Sequence, residues 1–196
     1  KEYSGAIESL TQAVSTGAST KDVFLYKGYS EYIQKDYDNA LKDLEKAVSL
    51  GVKEPEAYKT VGDIKFTKND FAGAIKEYDN AEKAGAKDAV LFNNRGKAKM
   101  NTSDLAGAKV DFDKAIQLNT SYSKAFLNRG TTKYILKDYA GAVEDLEKAK
   151  AAEGETPETL KMLGTANHLL GKKEPARVYL DKALRAGGKD SKVLLY

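Results

Sequence analysis

The stretch "DYDNALKDLEKA" (Asp36–Ala47) decides the fold, because near copies of it recur along the chain. Aligned with it, without a gap, are "EYSGAIESLTQA" (Glu2–Ala13), "DFAGAIKEYDNA" (Asp70–Ala81), "DLAGAKVDFDKA" (Asp104–Ala115), "DYAGAVEDLEKA" (Asp138–Ala149) and "KKEPARVYLDKA" (Lys172–Ala183). Each begins 34 residues after the one before. Two columns are entirely alanine: Ala6, Ala40, Ala74, Ala108, Ala142 and Ala176, then Ala13, Ala47, Ala81, Ala115, Ala149 and Ala183. A fixed period of this length marks a repeat architecture, in which each unit buries its core against its neighbours.

Within a copy, alanine, a large apolar residue and alanine fall at i, i+4 and i+7, as in Ala40, Leu44 and Ala47. That spacing is one face of an α-helix. A second block precedes each of the last five copies. Its large residue is Phe24, Tyr58, Phe92, Phe126 or Leu160, followed four residues later by Gly28, Gly62, Gly96, Gly130 or Gly164. It too has helical length and pattern. Asp36, Asp70, Asp104 and Asp138 stand where an N-cap is wanted, directly before the second helix. Each unit is therefore expected to be a helix, a short turn and a second helix. Glycine inside a helix costs about 1 kcal/mol relative to alanine, so five at one repeat position need a compensating reason. The expected one is close approach of the two backbones, glycine against the small alanine.

These columns resemble the tetratricopeptide repeat, and the resemblance covers essentially the whole chain. It implies an all-α fold: an α-solenoid of stacked antiparallel helix pairs in a right-handed superhelix. Complete repeats are expected at 21–54, 55–88, 89–122, 123–156 and 157–190. Residues 1–20 are then the second helix of a partial repeat. Residues 191–196, "SKVLLY", match "KDVFLY" (Lys21–Tyr26) as the start of a further one. These half-units expose Ile7, Leu10 and Val14 at one end and Val193, Leu194 and Leu195 at the other. They suggest an excerpt of a longer array, or head-to-tail self-association between molecules.

The sequence departs from the family pattern in informative places. Lys27, Arg95 and Arg129 replace the leucine before the glycine, and Glu31, Lys65, Lys99, Lys133 and Asn167 replace the aromatic three residues after it. A bulky residue follows one place later, as Tyr32, Phe66, Met100, Tyr134 or His168, and is expected to pack between neighbouring helices. Wherever the residue before the glycine is basic, an acid stands sixteen positions on: Lys27 with Asp43, Arg95 with Asp111, Arg129 with Asp145. These are expected to be ion pairs between the two helices of a unit, arginine suiting bidentate pairing.

Composition narrows the function. The chain has 196 residues with 32 basic and 29 acidic, interleaved. No basic block or stripe argues for nucleic acid. With no cysteine there is no disulfide framework or thiolate zinc site. No apolar run approaches the ~20 residues that span a bilayer, so direct membrane insertion is not expected, and "KEYSGAIESL" lacks the apolar core of a leader. His168 is the only histidine. "GTANHLLGKK" (Gly164–Lys173) has the wrong glycine spacing for a phosphate loop and no Ser or Thr after the lysine. Neither an enzyme nor a cofactor is expected. Localisation stays unknown, with a lean to a bacterial periplasm or cell envelope.

The resemblance implies that the first helices line a concave groove that binds a protein or extended peptide, as an adaptor or assembly scaffold. The residues it places there are Tyr29, Lys59, Asp63, Asn93, Asn94, Lys97, Lys124, Leu127, Asn128 and Thr131. Asn94 and Asn128, two before the glycine, can donate and accept at once, which suits a peptide bond. Two alternatives stand beside this. One is a structural oligomer assembling through its open ends. The other is a carboxylate clamp for an acidic C-terminal tail: Lys59, Asn94 and Lys124 fit that motif, but Asp63 stands where it wants asparagine and Asn128 where it wants arginine.

Overall fold

The computed structural model describes residues 2–18 and 20–187. The expected start of a further repeat at 191–196, with Val193, Leu194 and Leu195, lies outside the described residues. Among those described there are eleven α-helices and no strand. The chain divides into two compact units, Lys1–Lys87 and Asp88–Tyr196.

The first unit holds α1 (Glu2–Ser15), α2 (Lys21–Ile33), α3 (Tyr37–Ser49), α4 (Pro55–Thr67) and α5 (Phe71–Lys83). Here α2 pairs with α3 and α4 with α5, α1 lies against α2, α3 against α4, and α2 touches α4. The second unit holds α6 (Ala89–Asn101), α7 (Leu105–Leu118), α8 (Ser123–Ile135), α9 (Tyr139–Glu153), α10 (Pro157–Leu169) and α11 (Lys173–Gly187). Its pairs are α6 with α7, α8 with α9 and α10 with α11; α7 packs on α8, α9 on α10, and the first helices α6, α8 and α10 touch in succession. Each unit is thus a stack of helix hairpins in which first helix meets first helix.

The hairpin turn is built the same way each time. The first helix ends in a left-handed residue: Lys35, Asn69, Ser103 and Lys137 have φ of 63, 63, 66 and 64°, and Gly171 has 73°. The next N–H returns to the carbonyl five residues back, for example Asp70 to Lys65 O and Asp138 to Lys133 O, both 2.9 Å. This Schellman closure satisfies a carbonyl that the helix end would leave orphaned. The same aspartate then caps the second helix, its Oδ1 accepting from the N–H of Gly73, Gly107 or Gly141 at 2.9 Å and from that of Asn39 at 3.4 Å. Two residues therefore reverse the chain and start the next helix.

The ten alanines of the last five copies are buried, none above 3% exposed, while Ala6 and Ala13 are half-buried. The glycines allow the expected close approach of backbones, a Cβ standing 3.1 Å from Leu44 N on Gly28 and 3.2 Å from Leu180 N on Gly164, but the nearest atoms belong to a large side chain rather than to alanine. A Cβ on Gly28 would stand 2.7 Å from Leu44 Cγ, on Gly62 2.8 Å from Tyr78 Cε1, and on Gly96 2.6 Å from Phe112 Cε1. On Gly130 it would meet Leu146 Cγ at 3.0 Å, and on Gly164 Leu180 Cγ at 2.6 Å. Each glycine is a socket for the large residue between the two alanines, not a partner for an alanine methyl. The large residue lies one turn beyond the first alanine and reaches straight across at the first helix.

The bulky column forms ring pairs across the turn: Tyr32 with Tyr37 at 5.9 Å between centroids, Phe66 with Phe71 at 5.3 Å, Tyr134 with Tyr139 at 5.6 Å. These residues are used in packing. His168, expected to pack likewise, is exposed instead. Five positions on stands Lys173, which offers no ring to meet. Among the described residues, no helix is long and apolar enough to cross a membrane.

Candidate interaction surface

Much of the polar chemistry lies between the paired helices. Arg95 grips Asp111 with two bonds, Nε to Oδ2 at 2.9 Å and Nη2 to Oδ1 at 2.6 Å. Arg129 holds Asp145 in the same fork at 2.8 and 2.6 Å, and Lys27 pairs with Asp43. The substituted aromatic column joins in. Lys99 reaches Asp111 at 2.7 Å, Lys133 reaches Asp145 at 2.8 Å, and Lys65 bridges Glu45 at 3.0 Å and Glu77 at 3.3 Å. Glu31 inverts the sign, accepting from Lys27 at 2.6 Å. These charges replace an aromatic with a buried ion network, so the departures from the family pattern are structural.

The networks titrate in opposite senses. Burial alone would raise the Asp145 carboxyl, but hydrogen bonds from Arg129 and Lys133 hold it below the ordinary carboxylate range. Burial and the nearby Asp43 push Glu31 up, against the pull of Lys27. Glu31 Oε2 is buried without a hydrogen-bond partner.

On the first-helix face of the first unit, α2 and α4 supply Tyr29, Lys59 and Asp63, all half-buried. Lys59 Nζ lies 3.4 Å from the Glu56 carboxylate, and Asp63 Oδ1 accepts from the Tyr78 hydroxyl at 2.6 Å. The Tyr29 hydroxyl is buried with no hydrogen-bond partner. Burial, with Glu54 and Glu56 nearby, raises it above the ordinary tyrosine value. Tyr26 is 60% exposed.

On the corresponding face of the second unit, α6, α8 and α10 bring the asparagines together. Asn128 Nδ2 donates to Asn93 Oδ1 at 2.8 Å, and Asn93 Nδ2 donates to Asn94 Oδ1 at 3.3 Å. Asn93, expected at the surface, is 3% exposed and lies beneath it. Asn94, Lys97, Leu127, Asn128 and Thr131 are half-buried, and Lys124 and Lys161 are exposed. The Thr131 hydroxyl donates to Leu127 O at 2.9 Å and sits 3.7 Å from Met162 Sδ. Nothing in the sequence signalled the Asn93–Asn128 contact beyond two amides in adjacent repeat columns. Among the described residues, no group of three or more His, Asp or Glu is placed to hold a metal ion.

No protein-family model and no curated protein sequence matches the chain. Solved structures do. YrrB, described as a TPR protein with an unusual peptide-binding site, superposes with a TM-score of 0.81 at 18% identity, over 92% of this chain and 93% of its own. MamA gives 0.78 at 21%, over 91% and 97%. The C-terminal part of a TPR repeat-containing protein from Cytophaga hutchinsonii gives 0.76 at 20%, over 94% and 74%. The chain has the tetratricopeptide-repeat fold.

Proposed function

We propose that this chain is a non-catalytic protein-interaction module, and that the first-helix face of its second unit receives an extended segment of a partner. The observation that carries this is the composition of that face. Repeat-equivalent positions of α6, α8 and α10 hold Lys97, Lys124 and Lys161 against a single acid, Glu158, around the amides of Asn94 and Asn128. Amides match a peptide backbone whatever its side chains, and the exposed Lys124 and Lys161 favour carboxylates on the arriving segment. The fold shared with YrrB, whose description names a peptide-binding site, supports the reading.

Panning a random library of displayed dodecapeptides on the immobilised protein tests it. The expected outcome is recovery of peptides rich in Asp and Glu, whose binding weakens with added salt. Lys124→Glu with Lys161→Glu abolishes that binding and leaves the melting temperature in place, since both side chains are exposed. Peptides that bind this variant as well as the parent would sink the reading.

A second reading, assembly through the ends, is favoured by α1. Leu10, at the repeat position where Leu44 is fully buried, is only half-buried, as are Ile7 and Val14. Light scattering that returns a monomer at every concentration counts against it.

A further inference from the structure

Asn93 is an expensive residue for the place it occupies. The same repeat position holds Leu25 in α2, 1% exposed, and Leu127 in α8. Taking an amide out of water is unfavourable unless its hydrogen bonds are remade. Asn93 remakes them sideways, to Asn128 on the next first helix and to Asn94 beside it. The other two first-helix contacts inside the units manage without such a bond. Across α2 and α4 the equivalent residues are Leu25 and Thr60, and the Thr60 hydroxyl donates within its own helix, to Glu56 O at 2.8 Å. Across α8 and α10 they are Leu127 and Met162. Stacking of first helices therefore does not call for an amide pair.

We infer that Asn93 is a positioning residue. From beneath the surface it fixes the side-chain amide of Asn128, committing one Nδ2–H inward so that the diverging Oδ1 arm is set to accept an N–H from the backbone of a bound segment. This rests on the interaction reading above. A freely rotating amide would offer donor and acceptor equally and spend conformational entropy on binding; a fixed one is preorganised. The arrangement also gives the site a sense. An N–H of the partner is wanted at Asn128, so a proline or N-methylated residue at that point of a bound segment is disfavoured.

The test compares Asn93→Leu with Asn93→Asp. Leucine is tolerated at this position, as Leu25 shows, and removes the acceptor; aspartate keeps an Oδ1 acceptor for Asn128. In 1H–15N spectra of the unliganded protein, the Asn128 side-chain amide is expected to show one protected, shifted proton. Asn93→Leu releases it, with exchange at least about tenfold faster while backbone signals away from the site stay put. Asn93→Asp retains the protected proton. Peptides recovered by panning lose about tenfold in affinity with Asn93→Leu, the scale of one hydrogen bond, and Asn128→Leu added to it costs little more. An Asn128 amide unchanged by Asn93→Leu overturns the inference whatever peptides do. An amide released with peptide affinity intact overturns the role in binding. Panning that recovers nothing removes the interaction reading and the binding role together, and the spectra still decide the orientation.

Discussion

At repeat-equivalent positions, the first helices of the first unit carry Asp22, Glu56 and Asp63 against Lys59, whereas those of the second carry Lys97, Lys124 and Lys161 against Glu158. The interiors differ in the same spirit. In the first unit one cation, Lys27, answers two carboxylates, Asp43 and Glu31. In the second, the fully buried carboxylate Asp145 answers two cations, Arg129 and Lys133, and Arg129 also holds the half-buried Asp113 at 2.6 Å. Glycine sockets and alanine columns are common to both. The scaffold fixes volume and leaves the sign of charge to positions that volume does not constrain.

The largest effect comes from emptying the middle of a network. Asp145→Ala, at a side chain 0% exposed, leaves Lys133 without its carboxylate and Arg129 with the half-buried Asp113 alone, and is expected to cost about 3 kcal/mol in chemical denaturation. Asp43→Ala is expected to cost far less, because Lys27 keeps Glu31 and the two acids no longer compete. Equal losses would break the contrast between the units.

A smaller effect sharpens it. Glu31→Gln removes a crowded, incompletely bonded carboxylate and is expected to stabilise the protein by about 1 kcal/mol near neutral pH. The sign follows from the shift. A carboxyl raised in the folded state resists ionisation, so its contribution falls as pH climbs from the ordinary carboxylate range through the raised value. The gain from Gln therefore fades on acidification. Asp145 runs the other way: its contribution is present above the ordinary value and is lost as pH falls through the lowered one. Hydrogen exchange across an acid titration should find α8–α9 loosening while Glu31 becomes easier for α2–α3 to accommodate. Loss of protection in the reverse order would contradict both directions.

The smallest effect concerns the turns. Lys137→Gly relieves a left-handed lysine and is expected to gain about 1 kcal/mol, read as a higher melting temperature. Asn69→Gly in the first unit is expected to gain less, because asparagine tolerates that conformation.

The fold was legible because its constraints are local and repeated: an alanine that must be buried in every copy is visible as a column. The pairs Lys27–Asp43, Arg95–Asp111 and Arg129–Asp145 were legible for the same reason, since every basic residue in that column has an acid sixteen positions on. The second cations, Lys99 and Lys133, stood in plain sight as departures from the family pattern, but their partner was not assignable without the helix-pair geometry. The exposure of His168 had a sequence signal in Lys173, where the other complete copies have Tyr37, Phe71, Leu105 or Tyr139, all apolar or aromatic. Asn93 had none. Its column mixes Leu25, Lys59, Leu127 and Lys161 with it, and whether that position is covered depends on how a neighbouring first helix seats against it, which no single copy encodes.

Each glycine socket is filled by a side chain only sixteen positions along, as Gly62 is by Tyr78 and Gly164 by Leu180. Closing so short a loop loses little chain entropy, and a molecule made of such closures searches few long-range pairings before they reward it. Refolding can therefore nucleate at any hairpin and zip outward, and denaturation can peel from either terminus while interior hairpins persist.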